Sequence, residues 1–483
     1  MTDNQHSQQT PGPAGGGENG NGDGVILAPW ERAFDRLLTP FEEFIHRQTT
    51  GGMVLMGTTL LALLLANSAL APAYQHLVQL PASLQFGGWG LEKTLHHWIN
   101  DGLMALFFFV VGMELKREVL VGELARPRHA ALPIVAAAGG MLVPALIYTL
   151  FNGGTAEVRG WGIPMATDIA FSLGVVALLA GRVPRGLITF LVALAIVDDL
   201  GAVLVIALFY TENIALDWLG WAAAVVGLLM VFNLAGIRRT MPYFLVAVVL
   251  WYVLLKSGIH ATLAGVIGAF TVPARPRYDP AAFSRRVRAL MAQFDRSYRP
   301  DASILTNDEL RAIAQALGNG AHQVQAPLQR LEHLWHLPVA FLVVPVFALF
   351  NAGIPLQDSD WGVLLRNPVA LGVGLGLVVG KLIGITAAVW LALRLGIGEL
   401  PTGTRFRQIP GVALLAGIGF TMSIFIAELA FRTDPQTLVL AKTGVLFGSL
   451  IAGVGGFLWL RLTAEPSPAG VAADTSAQGP TGH

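Results

Sequence analysis

The sequence predicts an all-α polytopic membrane protein with about twelve transmembrane helices, and three observations carry that prediction. The 483 residues are 54% hydrophobic and only 13% charged, with a mean hydropathy of +0.60, whereas soluble domains carry roughly 25% charged residues. Apolar runs long enough to cross a hydrocarbon core of about 30 Å recur along the chain. The Lys and Arg residues between those runs alternate in abundance, as they do when successive loops face opposite sides of a membrane. The same composition excludes other classes. The 31 acids balance the 31 bases, so no basic field exists to hold nucleic acid. With no cysteine there is no disulfide framework, thiolate nucleophile or Cys-held metal.

Residues 1–28 are rich in Gly, Asn, Gln and Pro and lack a basic stretch followed by an apolar one, so they read as a disordered tail and not a secretory leader. Residues 464–483 read as a second disordered tail, which leaves 29–463 as a single transmembrane domain. The apolar runs lie near 50–71, 98–115, 130–151, 161–181, 184–210, 217–236, 242–256, 258–272, 337–353, 367–393, 408–430 and 437–460. Lys256-Ser257-Gly258 divides the stretch 242–272 into two helices. The segment 78–94 reads as two short strands around Gly87-Gly88, or as a plain surface loop. The segment 273–336, with nine Arg, reads as a long cytoplasmic loop that includes a short surface helix around 281–295. With the amino terminus inside, 24 of the 31 bases fall on the inner side and 6 on the outer, which places both termini in the cytoplasm.

An ionisable side chain inside a span costs about 2.5–3.5 kcal/mol on insertion scales, so each one asks for a function. Asp198 and Asp199 sit in the middle of FLVALAIVDDLGAVLVIALF, Asp168 in PMATDIAFSLG, and Lys381 in GLGLVVGKLIGITAAVW. Adjacent residues lie about 100° apart on a helix, so one aspartate can face a water-filled cavity while the other reaches a neighbouring helix. Two anions this close cannot both ionise cheaply, so a proton and a cation compete for one site. The plainer alternative is a structural pair held by hydrogen bonds. Three acids with one base suit a small cation, and Lys381 is placed to neutralise one aspartate. Around Asp168, the residues Pro164, Thr167, Ser172 and Gly174 suggest a broken helix, and Gly417, Gly419, Thr421 and Ser423 suggest a second one. Two interrupted segments in corresponding halves point to inverted-topology repeats with a site where the broken helices cross at the bilayer midplane, as in secondary transporters built this way.

No nucleotide site is present: in GLGLVVGKL the Walker spacing fails because Leu375 holds the first glycine position and Leu382 follows the lysine. HExxH and GxSxG are also missing, so transport would be secondary, driven by an ion gradient and needing no cofactor. A sodium-coupled symporter of an organic anion, or a membrane sensor or scaffold, remains open on the residues alone.

The strings WINDGLMALFFFVVGMELKRE (98–118), ATDIAFSLGVVALL (166–179), ALAIVDDLGAV (193–203), KSGIHATLAGV (256–266) and GIGFTMSIFIAELAF (417–431) closely resemble the bacterial sodium/proton antiporter family A, the NhaA type, from about residue 45 to about 462. The resemblance implies electrogenic, pH-regulated exchange of protons for Na⁺ or Li⁺ across the bacterial inner membrane. It makes Asp199 the principal ion ligand, Asp198 its neighbour and the partner of Lys381, and places Asp168 with Thr167 at the crossing of the broken helices. It puts Asp101 on the outward path and Glu114, Lys116, Arg117 and Glu118 at the cytoplasmic entrance, where pH sensing also involves Glu332, His333 and His336. On the residues alone the Glu332–His336 cluster is a solvated loop. His260 resembles a position linked to pH response, with a hydrogen-bonded helix-end histidine as the alternative. The 78–94 hairpin would join a homodimer in the lipid. The chain departs from the family pattern in its long amino-terminal tail, in an insertion before LEHLWH, and at Leu382, where the family leads us to expect proline.

Overall fold

The computed structural model describes residues 48–86, 89–179, 182–211, 214–276, 280–298, 307–356, 362 and 366–463. The expected tails at 1–28 and 464–483, the Gly87-Gly88 turn and residues 29–47 lie outside the described residues.

Helix α1 (Gln48–Ala66) is followed by the short α2 (Ala71–Val78), which turns away from it by 114°. Strands β1 (Pro81–Phe86) and β2 (Trp89–Thr94) then pair antiparallel, with Pro81 opposite Thr94. Thr94 ends the hairpin and caps α3 (Leu95–Trp98) by accepting from His97 N. A π-turn (Ile99–Leu103) joins α3 to α4 (Met104–Val121). Then follow α5 (Pro127–Asn152), a 3-10 segment (Ala156–Met165), α6 (Ile169–Ala177), α7 (Arg185–Phe209), α8 (Leu216–Leu234), α9 (Thr240–Ser257) and α10 (Leu263–Thr271). The break between α9 and α10 falls at the expected Lys256-Ser257-Gly258, where Gly258 takes φ +86°, the left-handed conformation that glycine adopts without a Cβ penalty.

The segment 273–336 is more ordered than the sequence suggested. It holds α11 (Pro280–Ser297) and α12 (Asp308–Val324), with α12 capped by Asn307. It also holds most of α13 (Pro327–Pro338), so Glu332, His333 and His336 lie on a helix and not in a loop. A π-turn (Val339–Val343) connects α13 to α14 (Val344–Asn351). The rest is α15 (Pro368–Leu375), a π-turn (Gly376–Gly380), α16 (Lys381–Arg394), α17 (Ile409–Ala416), α18 (Phe420–Ala430) and α19 (Pro435–Thr463).

Among the described residues, seven helices are long and apolar enough to cross a membrane, and three bent pairs raise that to as many as ten. The two remaining runs of the expected twelve fall short for local reasons. Helix α4 carries Glu114, Lys116, Arg117 and Glu118 within its span, and α10 has only nine residues.

Packing around Lys381 depends on glycine. A Cβ on Gly384 would lie 2.2 Å from Gly139 O, and one on Gly380 would lie 2.8 Å from Pro144 Cα, so α16 and the π-turn before it touch α5 backbone to backbone. Gly220 on α8 has nothing within 4 Å of such a Cβ. We expect Gly384→Ala to force these helices apart, at a cost of about 1–3 kcal/mol for overpacking, and to lower the thermal midpoint in detergent; Gly220→Ala should leave it unchanged.

Candidate functional site

Two interrupted spans build the site. The 3-10 segment and α6 bend by 42° where residues 166–168 leave the helical path, and α17 and α18 bend by 46° around Gly417–Gly419. The breaks bond to each other directly: Asp168 N donates to Ile418 O at 2.6 Å, Ser172 Oγ to Leu415 O at 2.8 Å, and Ser423 Oγ to Ile163 O at 2.7 Å. Glycine permits this approach, because a Cβ on Gly417 would sit 2.3 Å from Leu377 O and one on Gly419 would sit 2.9 Å from Ala166 O.

Breaking a helix leaves unpaired N–H groups at one end and unpaired carbonyls at the other. Asp168 serves the N–H ends of both half-helices. Its Oδ1 accepts from Phe171 N in the first turn of α6 at 3.0 Å, and its Oδ2 accepts from Thr421 N at 3.0 Å and from the Thr421 hydroxyl. Both oxygens are therefore engaged by protein donors. Geometry gives Asp168 the dipole-compensating part of what was expected of it, with each oxygen holding a backbone N–H of a half-helix. We expect Asp168→Ala to strip two helix caps, costing about 1–2 kcal/mol for each, with Asp168→Asn losing less; thermal unfolding of the purified protein reads both.

The carbonyl end is linked to the lysine. Thr167 Oγ1 lies 2.7 Å from Ala416 O, the last residue of α17, and Lys381 Nζ donates to Thr167 Oγ1 at 3.1 Å. Lys381 Nζ also pairs with Asp198 Oδ2, to which the Thr167 hydroxyl lies at 2.6 Å. The side chains of Lys381 and Asp198 are wholly buried. A π-turn immediately precedes Lys381, and such turns re-aim the following side chains within a helix. The helix continues through Leu382, so the absence of proline there does not prevent the lysine from meeting Asp198.

Asp199 differs from its neighbours. It is 1% exposed, and its Oδ1 is buried with no hydrogen-bond partner; Asp198 Oδ1 is in the same condition. Two adjacent carboxylates each present a bare buried oxygen, an arrangement that costs free energy unless a proton or a cation occupies it.

A cleft of about 560 Å³ between α4 and α7 leads towards the pair. Glu114, Arg117 and Glu118 line one wall and Thr189, Ala193 and Ile196 the other. Asp199 stands one turn beyond Ile196 on α7. Arg117 ties the expected cytoplasmic cluster together, with Nε 3.0 Å from Glu332 Oε1, Nη1 3.0 Å from Glu118 Oε1 and Nη2 4.0 Å from Glu114 Oε1. Lys116 does not join it. Its ammonium donates to Phe270 O and Val272 O, both at 2.6 Å, which closes the C-terminal end of α10. His333 and His336 are exposed on α13. His260 Nε2 donates to Tyr210 O at 2.6 Å, as a hydrogen-bonded histidine between two helices does. Asp101 is engaged by Lys93 of β2 at 2.7 Å, and its backbone carbonyl accepts from Trp251 Nε1 at 2.8 Å.

The sequence reading passed over one buried polar group, centred on Glu428 of α18. Glu428 Oε1 lies 2.5 Å from Lys442 Nζ and 3.4 Å from His96 Nε2, within the apolar run 408–430. An acid inside an apolar run was the available signal.

Interrupted apolar helices meeting at buried carboxylates and a buried lysine, beneath a charged cleft, define a membrane transporter and not an enzyme. The chain belongs to the family described as Na+/H+ antiporter 1, whose family model matches residues 42–460. It is similar to Na(+)/H(+) antiporter NhaA 1 of Saccharophagus degradans, 56% identical over 442 residues that make up 91% of this chain and 95% of that protein. It is also similar to Na(+)/H(+) antiporter NhaA of Sulfurimonas denitrificans, 50% identical over 440 residues, 91% of this chain and 99% of that protein. Na(+)/H(+) antiporter NhaA of Acidithiobacillus ferrooxidans is 51% identical over 428 residues, 88% of this chain and 97% of its own.

Proposed function

We propose that this protein exchanges protons for Na⁺ or Li⁺ across the bacterial inner membrane, electrogenically and under pH control, with both termini in the cytoplasm. The observation that carries the proposal is the pair of bare buried oxygens on Asp198 and Asp199. Protons or a cation satisfy them, but not both at once, and that competition couples the two fluxes. If two protons enter for each cation that leaves, one net charge crosses, which supplies about 2.3 kcal/mol per 100 mV. Asp199 is the principal ligand, and Asp198 with Lys381 is the place for the second proton.

Twelve spans in two inverted repeats, with the broken helices crossing at the midplane, are the arrangement this mechanism needs. The family membership and the backbone bonds between residues 168 and 418 support it. The Arg117 cluster at the cytoplasmic cleft is the place for pH control, and the β1–β2 hairpin is the contact for a homodimer. No nucleotide, nucleic acid or cofactor enters the cycle. An anion symporter would need an available base in the site, and Lys381 is engaged by Asp198 and Thr167.

The test uses inside-out vesicles holding a respiratory pH gradient between pH 6.5 and 8.5. Added Na⁺ or Li⁺ should dissipate the gradient and move charge across the membrane. Well-expressed protein that dissipates nothing at any pH would overturn the proposal.

A further inference from the structure

The proposed mechanism uses neither His96, Glu428 nor Lys442, yet the three are brought together from three elements. Glu428 sits near the end of α18, the half-helix whose first turn donates to Asp168. Lys442 comes from α19, and the ammonium and carboxylate are 12% and 11% exposed. His96 comes from α3, at the foot of the hairpin. Its Nε2 faces Glu428 Oε1 at 3.4 Å and Asn351 Oδ1 at 2.9 Å, and Asn351 Nδ2 in turn donates to Asn100 Oδ1 at 2.8 Å.

These contacts join two groups of helices. Asn351 ends α14, which packs with α1 and with the π-turn that holds Asn100, whereas α18 and α19 pack around the 3-10 segment, α15 and α17. His96 to Glu428 is thus a polar tie across the boundary between the groups. Just inside it the boundary is filled by aromatic rings, with Phe425 of α18 at 5.7 Å from Phe108 of α4 and 6.2 Å from Phe347 of α14. At the opposite end of the same boundary lies the open 560 Å³ cleft between α4 and α7.

We propose that the His96–Glu428 contact is an outer latch, a polar tie that holds the two helix groups closed on the external face while the cytoplasmic cleft is open. This inference rests on the antiport reading and on its orientation, which puts residues 93 and 432 outside. Lys442 pairs with Glu428 and aims its carboxylate, and His96 is the arm that crosses the boundary. For the ion site to reach the outside, that arm must let go together with the Phe425 contacts. The latch therefore sets what fraction of carriers face outward, and an outward-facing site available only part of the time shows a weakened apparent affinity from that side.

The experiment measures the KM for Na⁺ separately from each face, in right-side-out and inside-out vesicles, for wild type, His96→Ala and His96→Gln. His96→Ala leaves the Glu428–Lys442 and Asn100–Asn351 contacts in place, and a melting temperature measured on the same preparation should stay close to wild type. Gln restores a donor towards Glu428. A single hydrogen bond contributes about 0.5–1.5 kcal/mol net, so the outer-face KM should fall by about two- to tenfold in His96→Ala. The inner-face KM should stay constant or rise, and His96→Gln should return both towards wild type. An outer-face KM that is unchanged or higher in His96→Ala, or that moves equally in His96→Gln, would overturn the latch. Wild-type vesicles with no Na⁺-dependent proton movement would overturn the antiport reading itself, and the latch with it.

Discussion

Asp199→Asn should abolish cation-dependent proton movement while the protein still inserts and folds. Asp168, Asp198 and Lys381 are each engaged by protein partners, whereas Asp199 carries one of the two bare oxygens. Replacing it with the isosteric amide removes a charge from a low-dielectric interior without breaking an ion pair. Cation binding loses a charged ligand there, an effect of about 2–5 kcal/mol for buried charge partners, so flux should fall by at least about thirtyfold. Stability should move the other way. A buried carboxylate without a partner is a cost to the fold, and its neutralisation should hold or raise the melting temperature in detergent. Transport assayed in vesicles, with melting measured on the same preparation, separates loss of the site from loss of the protein. Retained flux would mean that the ion binds elsewhere.

Lys381→Gln should have the largest effect on stability. Lys381 and Asp198 are fully buried and paired, and removing one member of such a pair strands the other. That costs about 3–5 kcal/mol, whereas replacing both members together is often close to neutral. The double variant Asp198→Asn, Lys381→Gln should therefore melt well above Lys381→Gln alone, and the double-mutant cycle should return a large coupling energy. If the two single variants add, the pair is not what holds these helices together. The lysine also joins Thr167 to the end of α17, so the single variant should loosen the broken-helix contact as well.

The buried charges were legible in the sequence because hydrocarbon makes them expensive: Asp168, Asp198, Asp199 and Lys381 stand out in apolar runs. The breaks around Asp168 and Gly417–Gly419 were legible for the same reason, since Pro, Gly and small hydroxyl residues recur where a helix must stop. The division of labour among the aspartates was not. That Asp168 fills both its oxygens with the first turns of α6 and α18 depends on two chain segments 253 residues apart coming together. Lys116 shows the opposite failure. It lies in a charged string and looks like part of the Arg117 cluster, but on a helix its neighbour points elsewhere, and it closes α10 instead. In the segment 273–336 the surface helix around 281–295 was legible and corresponds to α11, whereas α12 and the start of α13 were not, because their charges mask helical periodicity. Its helices α11 and α12 pack on each other through Phe283 and Gly320, a pairing that hydropathy alone does not reveal. Glu428 was not legible because it lies near the end of its apolar run, where a charge is cheap, and its partners His96 and Lys442 come from other helices.

The most direct measurement is Na⁺ binding to the purified protein by calorimetry across pH, at constant ionic strength and in buffers of different ionisation enthalpy. If proton and cation compete for the Asp198–Asp199 oxygens, each bound Na⁺ releases protons, and below the pKa of the site the Kd rises about tenfold per pH unit lowered for each proton displaced. Asp199→Asn should abolish both the binding and the release. A Na⁺ affinity that is independent of pH, with no proton release in wild type, would contradict competition at the carboxylate pair and with it the proposed coupling.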